Sequence, residues 1–279
     1  MNTQKVWLIT GASKGLGLVL VKQLLEKKYR VAATSRTLDL LKKEVSSAST
    51  TFLPLAMDVT NDQDVKQAVE QVVAHFGQLD VVVNNAGYGQ FGTLEELSDK
   101  EVRQNYEVNV FGYLNVIRHT TPFLRKQQSG HLFNISSVGG FVGNFPGWGI
   151  YCSTKFAVSG FTEALSEEMS AFGVHTTLIY PGYIRTNFLS EGSIKRPSRL
   201  IEAYGSARAS EDVHFNQLDG NQVGDPTKVA QVLIDVANMP TPPLHLFLGS
   251  DAYEIAQDKI LTLTEALNNQ EKISHSTNF

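Results

Sequence analysis

The chain has 279 residues, 42% of them hydrophobic and 19% charged, a balance that suits one large or two small globular domains and excludes a disordered chain or a stapled mini-scaffold. Its 24 Lys and Arg against 28 acids leave a net charge of −4, too weak a field to hold a nucleic-acid backbone or an anionic membrane, with room only for a local basic spot. A single cysteine, Cys152, excludes an internal disulfide framework and a zinc site built on clustered cysteines.

The first apolar run, Val6 to Ile9, is too short for a secretion signal, and no stretch approaches the roughly 18 apolar residues that span a bilayer. The expected location is cytoplasmic. β-type runs are expected over residues 5–10, 30–34, 51–56, 79–83, 131–135, 174–179 and 244–248. They alternate with helical patterns, which predicts an α/β, Rossmann-type doubly wound parallel sheet of seven strands with helices on both faces. The clearest helix follows the third strand, where Val65, Ala68, Val69, Val72, Val73 and Phe76 form one stripe and Thr60 with Gln63 offers a capping box. No linker or repeat divides the series, so residues 1–250 read as a single domain. Residues 185–224 are polar and rich in Gly, Ser, Arg and Asp, and read either as a mobile flap over a substrate or as an ordinary surface excursion. Residues 251–279 carry helical spacing at Ile255, Ile260, Leu263, Ala266 and Leu267, then a polar tail from Asn268. That predicts a docked helix with a frayed or partner-seeking end.

The first strand runs into Gly11, Ala12, Ser13, Lys14, Gly15, Leu16 and Gly17, and a helix opens at Val19, Leu20 and Leu24. Glycines here permit a tight turn and let backbone N–H groups at a helix N-terminus approach a pyrophosphate. A plain structural turn is the alternative, and the flanking strand and helix weigh against it. About 20 residues beyond such a loop, NAD-binding chains place an acid against the ribose 2′-hydroxyl. Here the second strand ends Ser35, Arg36, Thr37, with no acid before Asp39. Arg36 can fork onto a 2′-phosphate and Lys14 can add a second positive charge, so NADP(H) is expected in preference to NAD(H).

From Lys5 to about Leu248 the chain resembles the short-chain dehydrogenase/reductase family. The family's Thr-Gly-x-x-x-Gly-x-Gly loop is matched from Thr10 to Gly17, and its adenine-contacting Asp by Asp58, beside Val59. Its Asn-Asn-Ala-Gly segment is matched by Asn84, Asn85, Ala86 and Gly87, and its Tyr-x-x-x-Lys by Tyr151 and Lys155. Its Pro-Gly-x-x-x-Thr element is matched by Pro181, Gly182 and Thr186, with Ile184 between them. The resemblance implies hydride transfer between nicotinamide C4 and a carbonyl carbon, with Ser137 polarising the oxygen, Tyr151 as general acid or base and Lys155 holding the nicotinamide ribose. It also implies a homodimer or homotetramer built on the helices that carry Asn109 and Tyr151.

Elementary chemistry gives the same positions sense. Tyr151 and Lys155 are four apart, so on a helix they share a face, and a nearby ammonium is expected to lower the phenol from its free pKa near ~10. Ser137 stands at a strand end where its hydroxyl can donate to a developing oxyanion, while its neighbour Ser136 points to the opposite face. The stretch from Ser137 to Tyr151 is one residue longer than is commonest in the family. Asn109 sits beside the apolar stripe Val102, Tyr106, Val110, Tyr113 and Val116 and must find partners, either as a helix kink or, as the family implies, as the holder of a proton-relay water.

Tyr88, Phe91, Phe141, Asn144, Phe145, Trp148, Tyr183, Phe188 and Leu189 are candidates for the substrate lining, some of them equally suited to a core. Their aromatic character suggests an apolar ketone, aldehyde or secondary alcohol as the small-molecule partner. Of these, Asn144, Phe145 and Tyr183 join Ser137 and Tyr151 as the expected substrate contacts. The seven histidines show no metal-ligand spacing, so no metal is expected. Cys152 reads as an inert helix residue. The rival to an enzyme is a non-catalytic NAD(P)-binding redox sensor, whose usual mark, a lost Tyr or Lys, is not seen here.

Overall fold

The computed structural model describes residues 5–47, 49–190 and 192–279. Its strands are β1 (Val6–Ile9), β2 (Arg30–Ser35), β3 (Phe52–Ala56), β4 (Val81–Asn84), β5 (Gly89–Gln90), β6 (Gly130–Ile135), β7 (Val174–Pro181), β8 (Ile194–Lys195) and β9 (His245–Leu248). The helices are α1 (Gly15–Glu26), α2 (Leu38–Val45), α3 (Asp62–Phe76), α4 (Asp99–Tyr106), α5 (Gly112–Gln127), α6 (Gly149–Ser170), α7 (Gly205–Asp212), α8 (Pro226–Val236) and α9 (Ser250–His275).

Seven strands form one parallel sheet in the order β3-β2-β1-β4-β6-β7-β9. β1 shows why it needs cover on both faces, since every residue in it is buried. Trp7 and Ile9 enter a layer shared with Leu20, Val21 and Leu24 of α1 and Val229, Leu233 and Ile234 of α8. Val6 and Leu8 enter the opposite layer, with α3, α5 and α6 behind it. The α3 stripe packs there as its spacing predicts, and burying each Val is worth on the order of 1.5–3 kcal/mol. Its cap differs from expectation: Asn61, not Thr60, accepts from the N–H groups of Gln63 and Asp64, because the Thr60 hydroxyl is turned onto Asp58 at 2.8 Å.

The chain winds outward from β1 to β3 and then returns to β4, so the order reverses between β1 and β4. The crevice beyond the carboxyl ends of those two strands is where such sheets take their ligands.

Residues 185–224 are neither an open flap nor plain loop; Glu191 lies outside the described residues. They hold β8, α7 and a π-helical turn over Val213–Leu218, and β8 pairs in parallel with β5. A bridge between Ile184 and Gly224 closes the base. Arg208 forks onto both oxygens of Glu96 at 2.9 Å, and the carboxylate side chain is wholly buried. The excursion is thus tied to the body along its length and forms a wall. Ala252 and Ala256 dock the start of α9, and the helix continues through the segment expected as a tail, to His275. Among the described residues no helix is long and apolar enough to cross a membrane.

Candidate active site

A cavity of about 940 Å³ opens at the β1/β4 reversal and runs from the glycine loop to the excursion. Gly11, Ser13, Lys14, Gly15 and Leu16 line one end, together with Arg36, Asp58 and Val59. Asn85, Ala86 and Gly87 line its middle with Ser137, Tyr151 and Lys155, and Pro181, Gly182, Ile184 and Thr186 complete that wall. Gly17 is buried behind the loop.

The glycine loop is pressed against the segment after β4. A Cβ on Gly11, whose φ is +64°, would lie 2.7 Å from the Cα of Ala86, and one on Gly17 would lie 2.5 Å from Nδ2 of Asn85. Asn85 fastens this contact: its Nδ2 donates to the carbonyls of Thr10 and Gly11 at 2.8 and 3.1 Å. The Thr10 hydroxyl accepts the N–H groups of Asn85 and Ala86, both at 3.0 Å. The amide nitrogen of Asn85 therefore shapes the loop. Lys14 donates to the carbonyl of Gly192 at 2.9 Å. Burial, and then the nearby Arg36 guanidinium, hold its ammonium below the usual lysine range.

Ser136 and Ser137 diverge as strand alternation requires. The Ser136 hydroxyl is buried and donates to the carbonyl of Lys155 at 3.0 Å. Ser137 Oγ accepts from the N–H of Gly139 at 3.0 Å, which leaves its own proton free to donate into the cavity. Lys155 is 4% exposed and donates to the carbonyl of Ile135 at 2.8 Å, with Nζ 5.8 Å from the centre of the Tyr151 ring.

Burial dominates both groups. It lowers Lys155 to about 7 and pushes Tyr151 above its ordinary value against the opposing effect of the Ser137 hydroxyl. The expected lowering of the phenol by the ammonium is therefore outweighed by burial, which acts on both groups and leaves the lysine only about half protonated at pH 7.

Asn109 lies one layer behind, fully buried, in a π-helical turn over Glu107–Phe111 that joins α4 to α5. Its Oδ1 accepts from the N–H of Tyr88 at 3.0 Å, and its Nδ2 donates to the Tyr88 carbonyl at 2.9 Å and to the Thr154 hydroxyl at 3.1 Å. It clamps the Tyr88 peptide to α6 and does not line the cavity.

Among the candidates for the substrate lining, Tyr88, Phe145, Trp148, Tyr183, Phe188 and Leu189 line the cavity. Phe91 is fully buried beneath it, edge-on to Trp148 and Phe215, and Phe141 packs against Tyr180 and Phe247. Asn144 is exposed and outside the lining: after the buried Val142 the loop carries Gly143 and Asn144 out to solvent before Phe145 returns to the cavity. His214 and Lys195 are among the lining residues that were not foreseen. Both come from the excursion, where no periodic pattern marks a direction. Among the described residues, no group of three or more His, Cys, Asp or Glu side chains is placed to hold a metal ion.

A family model described as short chain dehydrogenase matches residues 5–196. The chain belongs to the short-chain dehydrogenase family. Oxidoreductase BOA17 of Botryotinia fuckeliana is 36% identical to it over 253 residues, covering 90% of this chain and 91% of the relative. A short-chain dehydrogenase from Streptomyces avermitilis superposes with a TM-score of 0.90 at 33% identity, over 99% of this chain and 100% of that one. The NADP-bound structure of ElxO gives a TM-score of 0.74 at 26% identity, over 90% of this chain and 99% of that one. The protein is an NAD(P)-dependent dehydrogenase/reductase.

As a member of this family the chain would hold a nicotinamide dinucleotide, and the cavity suits one. The side-chain-free surface at Gly11 and Gly17 brings backbone against backbone at the N-terminus of α1, where unpaired N–H groups meet a pyrophosphate.

Proposed function

We propose that this enzyme uses NADPH in preference to NADH to reduce the carbonyl of an apolar small molecule, or to oxidise the matching secondary alcohol. The observation that carries the reading is the meeting of Ser137, Tyr151 and Lys155 on one wall of a cavity whose next wall is aromatic. When bound, the dinucleotide supplies or takes up a hydride at nicotinamide C4. Gly11, Ser13, Lys14, Gly15 and Leu16 would hold its phosphates, Asp58 and Val59 its adenine end, and Pro181, Gly182, Ile184 and Thr186 its nicotinamide end. Asn85, Ala86 and Gly87 would flank it between.

Ser137, with its oxygen already occupied by Gly139, donates its proton to the carbonyl oxygen as charge develops. Tyr151 delivers the phenolic proton to that oxygen. Lys155, brought by burial to about 7, can take and return a proton at Nζ in the neutral range while holding the ribose. Asn109 acts as a positioning residue through the Tyr88 peptide and Thr154. The preference for NADPH is supported by Lys14 and Arg36 at one end of the cavity and by NADP in the related ElxO.

A panel of apolar ketones and aldehydes assayed with both cofactors tests this. Turnover is expected with NADPH, and Arg36→Ala should weaken NADPH by about tenfold or more while leaving NADH nearly unchanged. Equal losses for both cofactors would sink the 2′-phosphate assignment, and no turnover with either would sink the reductase reading.

A further inference from the structure

The Pro181–Thr186 element and the π-helical turn of the excursion meet in one polar contact inside the aromatic wall. His214 Nδ1 lies 2.7 Å from the carbonyl oxygen of Ser210, and its Nε2 lies 2.9 Å from the hydroxyl of Tyr183. A carbonyl can only accept, so Nδ1 carries the ring proton, and in the neutral imidazole Nε2 can only accept. Burial favours that neutral form by holding His214 below its ordinary value. The Tyr183 hydroxyl must then donate to His214, which leaves the remaining lone pair on its oxygen as an acceptor.

Tyr183 is held rigidly in this role. Its N–H donates to Asp251 at 2.6 Å, its carbonyl accepts from Gly224 at 2.9 Å, and both Tyr183 and His214 line the cavity. Trp148 lines it too, with its ring 4.9 Å from that of His214. The Trp148 ring, 5% exposed, gives this stretch of wall an apolar face, against which the Tyr183 oxygen stands as a fixed hydrogen-bond acceptor. A hydroxyl group can donate to that oxygen; a bare hydrocarbon cannot.

We propose that Tyr183, set by His214, forms a subsite for a hydroxyl group of the substrate, so that the favoured substrate is an apolar hydroxy-ketone or, in the oxidative direction, the corresponding diol. The subsite rests on the reductase reading for its place beside the reacting carbonyl. His214 is a positioning residue, acting through the direction of the Tyr183 proton.

The test compares α-tetralone with its ring-hydroxylated isomers, by calorimetric binding in the presence of NADP⁺, where no hydride can be transferred, and by turnover with NADPH. At least one hydroxylated isomer should bind about tenfold more tightly than α-tetralone. Tyr183→Phe, which keeps the ring, should remove that preference, so that the hydroxylated isomer and α-tetralone bind alike. No preference for any isomer, or one that survives Tyr183→Phe, would overturn the subsite. Tyr183-dependent binding preference without turnover in the native enzyme would overturn the reductase reading and leave the subsite standing, whereas turnover without that preference does the reverse.

Discussion

Lys155 and Tyr151 lie one helical turn apart on α6, and their spacing alone suggests a simple exchange in which the cation eases the phenol proton. Withdrawal from water changes the balance. Lys155 falls from an ordinary 10.5 to about 7, so at neutral pH it is poised between its two forms. The consequence for stability has a definite sign. Between pH 7 and 10.5 the unfolded lysine binds a proton that the folded one has released, so stability contributed at this site rises with pH across that window and is lowest below it. Lys155→Met should therefore abolish turnover while making the protein more stable by a few kcal/mol below pH 7. That advantage should fade toward pH 10.5, as read from denaturant midpoints at a series of pH values. An advantage independent of pH would show that the buried charge is not its cause. Asn109 and Asn85 make a related point: the Asn85 amide nitrogen is spent on backbone carbonyls, and the Asn109 amide on the Tyr88 peptide and the Thr154 hydroxyl.

At the scale of elements, the parts legible in the sequence are those whose stability is local or periodic. The α3 stripe and the buried run of β1 follow from the 3.6-residue repeat and from burial on both faces. β5 and β8 were not legible, since each has two residues and each exists only because the other arrives from more than 100 positions away. Nor were the two π-helical turns, whose register is fixed by tertiary contacts. Each carries a polar residue inward, Asn109 in one and His214 in the other, in keeping with the habit of such turns to sit at functional places. Asn144 was misplaced because its loop has no repeat from which the direction of a side chain can be read; it stands exposed between the buried Val142 and the cavity-lining Phe145. The excursion depends on Glu96 and Arg208. Arg208→Met would strand a buried carboxylate and should cost about 3 kcal/mol. It should also raise KM for the carbonyl substrate while leaving dinucleotide affinity nearly intact, because the glycine loop lies on the other side of the cavity. Equal losses of both affinities would contradict a wall that serves the substrate alone.

For the molecule as a whole, the reversal of strand order between β1 and β4 brings together residues scattered over more than 170 positions, from Gly11 to Thr186. Ordered motifs made the fold, the glycine loop and the Tyr151–Lys155 pair legible, because each motif answers a local demand of turn geometry or helix spacing. The substrate wall was only partly legible, because its shape comes from how residues 185–224 fold back on the body. The near-neutral net charge also acquires a sharper meaning, since Lys14 and Arg36 both line one end of the cavity, where the proposed preference for NADPH sets the 2′-phosphate. The central claim is that Tyr151 is the proton donor of a carbonyl reductase. Steady-state reduction of the best ketone by native enzyme and by Tyr151→Phe, with NADPH affinity measured in parallel by fluorescence, tests it most directly. A fall in kcat of about 10²–10⁴ with NADPH affinity preserved is the predicted result; turnover at the native rate would contradict it.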